Sequence, residues 1–127
     1  MMTVLNTKYA PAAIGPYVQG VDLGNIVMTS GQLPINPETK AMADGIEKQT
    51  LQSLNNALAI ITEAGLDIHN IVKTTVFVKD MNDFPVINAA YQSFFEQKGA
   101  AYPARSCVEV ARLPLDAGIE IEVIALR

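Results

Sequence analysis

Residues 71–79, IVKTTVFVK, are dense in β-branched side chains, and such side chains favour a β-strand over a helix. Successive residues of a strand point to opposite sides. One face of this strand therefore carries Val72, Thr74, Val76 and Val78. The run predicts a strand in the interior of a sheet, and the segments around it indicate the class of fold.

A helix is expected on each side of this strand. Before it, Asp44 followed by Glu47 resembles a capping box, and Gly65 offers a C-terminal stop. The apolar stripe of this first helix would be Leu51, Leu54, Leu58 and Ile61. After it, Asn82 or Asp83 can cap a second helix that has Pro85 in its tolerant first turn and ends before Gly99. The buried stripe of the second helix would be Ile87, Ala90, Tyr91 and Phe94.

Further β-prone segments flank these elements. Residues 18–22 and 26–30 are expected to form a hairpin, and residues 105–111 and 119–126 to form two later strands. The proline-containing stretch 9–17 is expected to be an extended arm. The resulting order is hairpin, helix, strand, helix, strand, strand.

This order predicts an α+β fold, in which a mixed sheet has two helices packed on one face. With only two helices, the second face of the sheet has no cover within the chain. Association of subunits would bury that face, and a closed ring would also form clefts between subunits. Oligomerisation is therefore expected on packing grounds, which do not fix the number of subunits.

Composition limits the remaining possibilities. The 127 residues, half of them hydrophobic, predict one domain over residues 1–127 with a substantial core. A formal charge of −4 argues against nucleic acid as a partner. A single cysteine, the lack of a secretory pattern and the lack of a run of roughly 20 apolar residues predict a cytoplasmic protein with no membrane partner. Cysteine and histidine are too few for a metal site and the glycines too scattered for a phosphate loop, so no metal or other cofactor is expected.

Arg105 is the first candidate for chemistry. It begins a predicted strand with apolar neighbours, where an arginine needs a partner. Its planar guanidinium matches a carboxylate with two parallel hydrogen bonds. The alternative is a structural ion pair with one of the acids of this chain.

Glu120 and Glu122 are the second pair of candidates, because they share one face of the strand 119–126 with Ile124 and Leu126. A carboxylate in a cleft of low dielectric has a raised pKa, which suits a group that orients water and moves a proton near neutral pH. The alternative is ordinary polar alternation on a solvent-facing edge strand.

Four other polar residues have ordinary structural explanations. Cys107 has the side-chain parity of Arg105, but a lone cysteine on a strand is typically a small buried hydrophobe. A nucleophilic cysteine would need a base, and the only histidine, His69, lies in an apparent loop. Tyr17, Ser30 and Asn88 lie beside turns or on a helix, where local hydrogen bonding accounts for them.

Four segments together carry a family resemblance. They are AAIGPY (residues 12–17), TSGQ (29–32), IVKTTVFV (71–78) and PARSCVEV (103–110). In this order and over nearly the whole chain, they resemble the RidA branch of the Rid (reactive intermediate deaminase) family, also called the YjgF or L-PSP family. The arginine–cysteine segment is the most specific of the four. One departure lies at Lys40, where members of the family commonly have glycine, and it is expected to alter a turn rather than the pocket.

The resemblance implies a chorismate-mutase-like fold assembled as a homotrimer, with clefts between subunits. It also implies hydrolysis of short 2-imino or enamine acids, such as 2-aminoacrylate and 2-aminocrotonate, to 2-oxo acids and ammonia without a cofactor. Its catalytic residues would be Arg105, which holds the substrate carboxylate, and Glu120, which activates water. Cys107 would contribute its backbone. The pocket would further include Tyr17, Ser30, Gly31 and Asn88.

Two other functions remain open at this stage. An endoribonuclease or translation inhibitor is also associated with the family by name, although an acidic chain without a basic stripe suits it poorly. A non-catalytic binder or sensor of small carboxylates would need Arg105 but not Glu120. The register of the last two strands decides whether these two residues converge within one subunit or across a boundary.

Overall fold

The computed structural model describes residues 2–127. Within this range lie two α-helices, α1 (Ile46–Glu63) and α2 (Phe84–Gln97), and short 3-10 helices at Ile68–Asn70, Met81–Asp83 and Pro114–Asp116. The strands are β1 (Thr3–Leu5), β2 (Gly20–Asp22), β3 (Ile26–Thr29), β4 (Ile71–Val78), β5 (Ala104–Glu109) and β6 (Ile119–Leu126). Neither helix in this range is long and apolar enough to cross a membrane.

The six strands form one mixed sheet in the order β1-β2-β3-β6-β4-β5. Within it, β4 and β5 pair in parallel through the crossover helix α2, and the other neighbours are antiparallel. Helix α1 connects β3 to β4, and β6 lies between those two strands. The α+β fold predicted from the order of elements is thus confirmed.

One side of the sheet packs against both helices and forms the core. On β6, Ile119, Ile121, Val123 and Ala125 are buried and alternate with partly exposed residues. The expected stripe of α2 is also buried and includes Phe95 as well. Because burial of each large aliphatic side chain contributes roughly 2 kcal/mol, this alternation fixes which side of β6 faces the helices.

The opposite side of the sheet, here called the open face, has no helix upon it among the described residues. Directly paired residues point to the same side of a sheet. The register therefore places three rows on the open face: Val4, Val21, Met28, Ile124, Lys73 and Ala104; Glu122, Thr75 and Ser106; Glu120, Phe77 and Val108. Several apolar members of these rows, among them Val4, Met28 and Val108, are exposed.

The sequence did not reveal β1, because three residues are too few to show a periodicity. The arm at residues 9–17 has neither helix nor strand, as expected. The buried side chain of Gln19 holds it in place, since its amide oxygen accepts a hydrogen bond from the Thr7 N–H at 2.7 Å and its amide nitrogen donates to the carbonyl of Pro11 at 2.8 Å.

The capping box expected at Asp44 and Glu47 was wrong. Helix α1 is capped by Gly45 with φ 86° and no side-chain hydrogen bond, which puts Glu47 at the second helical position, one short of the position a capping box needs. The capping box that the structure contains is at Asp67 and Asn70, at the short turn that leads into β4.

Two buried stripes also differ from expectation. On α1, Leu51 and Leu58 are only partly buried, and the face that meets the sheet is centred on Leu54, Ala57 and Ile61. On β4, Thr74, Val76 and Val78 are buried but Val72 is exposed. The cause is a register shift between Ile71 and Lys73, which turns Val72 away from the core.

Lys40 adopts φ 65°, a left-handed conformation that costs a residue with a Cβ roughly 1 kcal/mol. It lies in a turn in which the Asn36 side chain accepts hydrogen bonds from the N–H groups of Glu38 and Thr39. Glycine would adopt this conformation without the cost, so the departure concerns the turn itself.

Candidate active site

Arg105 lies on the helix side of β5, because it pairs with the buried Thr74 of β4. Its guanidinium donates a hydrogen bond from Nη1 to Oδ1 of Asn88 on α2 at 2.8 Å. The same group lies over the ring of Tyr91, 4.8 Å from the centroid, and 5.4 Å from the ring centroid of Phe84. One face of the guanidinium thus packs against α2, and some of its N–H groups have no hydrogen-bond partner among the described residues.

A cavity of about 400 Å³ opens beside this guanidinium. Its lining is Asn88, Tyr91, Gln92, Tyr102, Pro103 and Arg105. The salt bridges formed among residues 2–127 are Lys79–Asp116 and Arg127–Asp22. The alternative of a structural ion pair for Arg105 is therefore wrong for the described chain, and its fork is free to receive an anion from outside.

Cys107 points to the same side of β5 as Arg105, because it pairs with the buried Val76. Burial raises the pKa of the Cys107 thiol, and the nearby positive charge of Arg105 only partly offsets this effect. His69 lies before the start of β4, whereas Cys107 lies level with Val76, about 17 Å further along the strand. The thiol is therefore protonated at neutral pH and has no histidine beside it.

The backbone of Cys107 lies on the free side of an edge strand. The Val110 N–H donates to the carbonyl of Val78 at 2.9 Å and so points toward β4. Peptide groups alternate in direction along a strand, so the N–H and C=O of Cys107 point the other way, beyond the edge of the sheet. These two groups can hydrogen-bond with a molecule held at that edge.

Glu120 occupies the open face, opposite Phe77 in the register of β6 and β4. Partial burial raises the pKa of its carboxyl group, and the negative charge of Glu122 raises it further. Since β6 lies between β3 and β4, the alternative of an edge strand is wrong. Glu120 is thus a partly desolvated carboxylate near the middle of the sheet.

Gly31 packs directly against this carboxylate. A Cβ atom at position 31 would lie 2.8 Å from the Glu120 Cδ, well inside the normal carbon–carbon contact distance of about 3.5–4.0 Å. The segment is fixed by paired hydrogen bonds between the backbones of Gln32 and Ile121, at 2.8 and 3.1 Å. Glycine at position 31 thus allows the carboxylate of Glu120 to lie against the main chain.

Ser30 and Tyr17 lie beside this segment. The Ser30 hydroxyl donates to the carbonyl of Val18 at 2.6 Å, which ties the end of β3 to the arm. Tyr17, next to Val18, is half exposed, and its hydroxyl accepts a hydrogen bond from the Ile14 N–H at 3.4 Å. This hydrogen bond holds the partly exposed ring of Tyr17 against the arm.

The candidate residues thus form two groups. The arginine group consists of Arg105, Asn88 and the backbone of Cys107, and the glutamate group consists of Glu120, Gly31 and Ser30, with Tyr17 nearby. Arg105 pairs across the sheet with Thr74, and Thr74 with Val123, on the helix side. Glu120 lies on the other side, so one chain does not bring the two charged side chains together.

Sequence reasoning missed two residues beneath Arg105. Tyr91 was expected only as part of the apolar stripe of α2, and Thr74 only as part of a strand face. Their hydroxyl groups are 2.7 Å apart and buried. The one signal available was a tyrosine hydroxyl in an otherwise apolar stripe, since a buried hydroxyl usually has a hydrogen-bond partner.

A family model, a curated relative and two solved structures are all similar to this chain over nearly its whole length. A family model described as Endoribonuclease L-PSP matches residues 7–127. A 2-iminobutanoate/2-iminopropanoate deaminase of Salmonella typhimurium is 60% identical over 127 residues, which cover 100% of this chain and 99% of that protein. The crystal structure of the YJGF gene product from E. coli superimposes with a TM-score of 0.97 at 58% identity and covers 98% of both chains. A structure of E. coli TdcF with bound serine also gives a TM-score of 0.97, at 52% identity and 98% coverage of both chains.

Proposed function

We propose the following function, because this chain belongs to the Endoribonuclease L-PSP family and, within it, to the RidA branch of reactive intermediate deaminases. The protein hydrolyses short 2-imino acids to 2-oxo acids and ammonia. The observation that carries this proposal is the 60% identity, over the whole chain, with a 2-iminobutanoate/2-iminopropanoate deaminase. The substrates are 2-iminobutanoate and 2-iminopropanoate together with their enamine tautomers, 2-aminocrotonate and 2-aminoacrylate.

Arg105 holds the substrate carboxylate. Its guanidinium makes no ion pair among residues 2–127 and borders a cavity, and two parallel N–H groups match a carboxylate geometrically. The TdcF structure contains serine, which also bears a carboxylate next to a nitrogen-bearing carbon. Asn88 fixes one end of the fork, so the remaining N–H groups are already oriented when the substrate arrives.

Glu120 activates the attacking water. Its raised pKa makes the carboxylate a better proton acceptor than an exposed glutamate. As the water oxygen bonds to the imine carbon, the C=N π electrons move to nitrogen, and Glu120 passes the proton from water to that nitrogen. Glu120 then takes the proton of the carbinolamine hydroxyl and delivers it to nitrogen, so that ammonia leaves as the C–N bond breaks and the C–O bond becomes a carbonyl. Imines hydrolyse in water by the same steps, so orientation and one proton relay suffice and no cofactor is needed.

The remaining residues shape the pocket. The outward N–H and C=O groups of Cys107 hydrogen-bond at the substrate nitrogen. Gly31 and Ser30 form the wall behind Glu120, and the exposed ring of Tyr17 covers the entrance. The protonated Cys107 thiol takes no part as a nucleophile.

A homotrimer joins the two groups of residues. Arg105 and the outward backbone of Cys107 lie on the edge strand β5, whereas Glu120 lies on the open face. If the edge of one subunit docks beside the open face of its neighbour, each interface contains one complete site. The exposed apolar residues of the open face support this arrangement, because contiguous exposed apolar surface marks interaction sites.

The activity is tested with a coupled assay. Threonine dehydratase generates 2-aminocrotonate, and release of 2-oxobutyrate is timed with and without this protein. We expect Arg105→Ala to abolish nearly all acceleration and Glu120→Gln to lower kcat by about 10²-fold or more, with both variants still assembled in light scattering. Substantial turnover by Arg105→Ala would contradict the proposal that Arg105 holds the substrate carboxylate. Unchanged kcat in Glu120→Gln, with retained ligand affinity, would favour the non-catalytic binder instead.

The shared site is tested by mixing the two inactive variants. After subunit exchange of equal amounts of Arg105→Ala and Glu120→Gln, about one quarter of the interfaces in random trimers receive both intact residues. We expect activity to return to about one quarter of the wild-type value. Each variant alone, carried through the same exchange, is the control. A mixture as inactive as its components would show that the sites are not shared.

A further inference from the structure

The environment beneath Arg105 contains a buried hydrogen bond that the proposed chemistry does not use. The Thr74 Oγ1 and the Tyr91 Oη are 2.7 Å apart, and both residues are almost fully buried. Thr74 lies on β4 and Tyr91 on α2, so this bond links the sheet to the helix directly under the guanidinium. It fixes the ring of Tyr91 at the end farthest from its own backbone.

The guanidinium of Arg105 lies 4.8 Å from the centroid of this ring, within the range of a cation–π contact. The ring of Phe95 also packs against the ring of Tyr91, at a centroid distance of 5.0 Å and an interplanar angle of 46°. Burial raises the pKa of Tyr91, although the hydrogen bond to Thr74 and the charge of Arg105 act in the opposite direction. Tyr91 is therefore a neutral phenol at physiological pH and interacts with Arg105 through its ring and not through a phenolate.

An arginine side chain has several rotatable bonds, and holding it in one geometry costs conformational entropy. Asn88 restrains the guanidinium at one nitrogen only. A flat ring, locked by a second bond to β4, restrains the plane of the fork in addition. The hydrogen bond to Asn88 restrains the position of the guanidinium, and two rings restrain its plane, of which Tyr91 at 4.8 Å is nearer than Phe84 at 5.4 Å.

We infer that Tyr91, locked by Thr74, is a positioning residue that sets the plane of the Arg105 guanidinium for binding of a substrate carboxylate. This inference rests on the proposed function for the role of Arg105, but it concerns residues that act through the guanidinium and not on the reacting atoms. Without the ring, the guanidinium would become ordered only when the carboxylate binds, and ordering one such side chain corresponds to a loss of up to about tenfold in affinity.

The test measures binding separately from turnover. The dissociation constant of 2-oxobutyrate is measured by calorimetry, and kcat and KM for 2-iminobutyrate in the coupled assay. We expect Tyr91→Leu to weaken binding of 2-oxobutyrate by up to about tenfold and to raise KM more than it lowers kcat. Tyr91→Phe and Thr74→Val each keep the ring but remove the hydrogen bond that locks it, so both should lie between the wild type and Tyr91→Leu, with affinity lowered about threefold.

Phe94→Leu is the matched control, because Phe94 is an equally buried aromatic residue of α2 whose ring lies under Lys98 and not under Arg105. It should lower the unfolding midpoint without changing the affinity for 2-oxobutyrate. In an Arg105→Lys background, Tyr91→Leu should have little further effect, because an ammonium group has no plane to be set. Equal losses of affinity in Phe94→Leu and Tyr91→Leu, or a full effect in the lysine background, would overturn the inference.

The outcomes for the two proposals differ. If the wild-type protein binds 2-oxobutyrate but does not accelerate imine hydrolysis, the proposed function fails, and the affinities of the variants still decide the role of Tyr91. If the wild-type protein binds no small carboxylate at all, the inference fails together with the anchor.

Discussion

The substitution Gly31→Ala separates catalysis from folding with a single methyl group. The backbone of Gly31 is not in the left-handed region, so alanine is conformationally acceptable there. The new Cβ would meet Glu120 at 2.8 Å from Cδ and 3.0 Å from both Cγ and Oε1. Normal contacts require the carboxylate to move by about 0.7–1.2 Å.

The magnitude of the effect follows from which atoms move. The end of the Glu120 side chain can rotate away, so we expect the free energy of unfolding to change by about 1 kcal/mol or less. A catalytic group misplaced by about 1 Å costs on the order of 10²-fold in rate. We therefore expect kcat for 2-iminobutyrate to fall about 100-fold, measured in the dehydratase-coupled assay, while urea unfolding stays close to that of the wild type.

Gly24→Ala is the matched control. A Cβ at Gly24 would meet no atom within 4 Å, but the backbone there has φ +102°. This variant should lose roughly 1 kcal/mol of stability through backbone strain and keep its kcat. A Gly31→Ala variant with kcat within about threefold of the wild type would refute the link between the Glu120 position and catalysis.

Three further expectations concern charge and packing. Activity should fall as the pH drops through the raised pKa of Glu120, because only the carboxylate accepts a proton. Since Glu122 contributes to that rise, Glu122→Gln should move the acid limb of the pH–kcat profile to lower pH, and an unmoved limb would contradict the coupling. Ser53→Ala should raise the free energy of unfolding by about 1 kcal/mol in urea titration, because the buried Ser53 hydroxyl has no hydrogen-bond partner in the described chain; a loss of stability would show that this hydroxyl is satisfied. Arg127→Ala should lower the unfolding midpoint, because this side chain donates to the carbonyls of Gly24 and Ala64 and pairs with Asp22; an Arg127→Lys variant as stable as the wild type would show that the hydrogen bonds of the guanidinium contribute nothing.

The long, strongly periodic elements could be predicted from the sequence. Strand β6 begins and ends at the expected residues, β4 differs by one residue, and every expected residue of the buried stripe of α2 is buried, with Phe95 in addition. The failures occurred where a local pattern competes with a neighbour. Helix α1 is capped by Gly45 and not at the expected residue, and a bulge turns Val72 to the surface. The periodicity of apolar residues indicates neither feature.

The site could be predicted only in part, for a geometrical reason. Residue types indicated an anion-binding arginine and a carboxylate with a raised pKa. The side of the sheet on which each lies depends on strand register, and the sequence does not specify that β5 pairs with β4 so that Thr74 faces Arg105. Tyr91 and Thr74 were hidden for a related reason, because a residue beneath a functional side chain looks like any other core residue until its hydrogen bond is seen.

The position of β6 has a consequence for how the molecule is made. Val27 on β3 pairs with Ala125 on β6, a partner 98 positions later in the chain. Until a ribosome has translated that segment, the outer edge of β3 has no partner strand and is exposed to the crowded cell. Contacts between such distant residues form slowly. The unpaired edge of β3 can therefore associate with other chains for longer than in a protein of the same length whose strands pair with near neighbours.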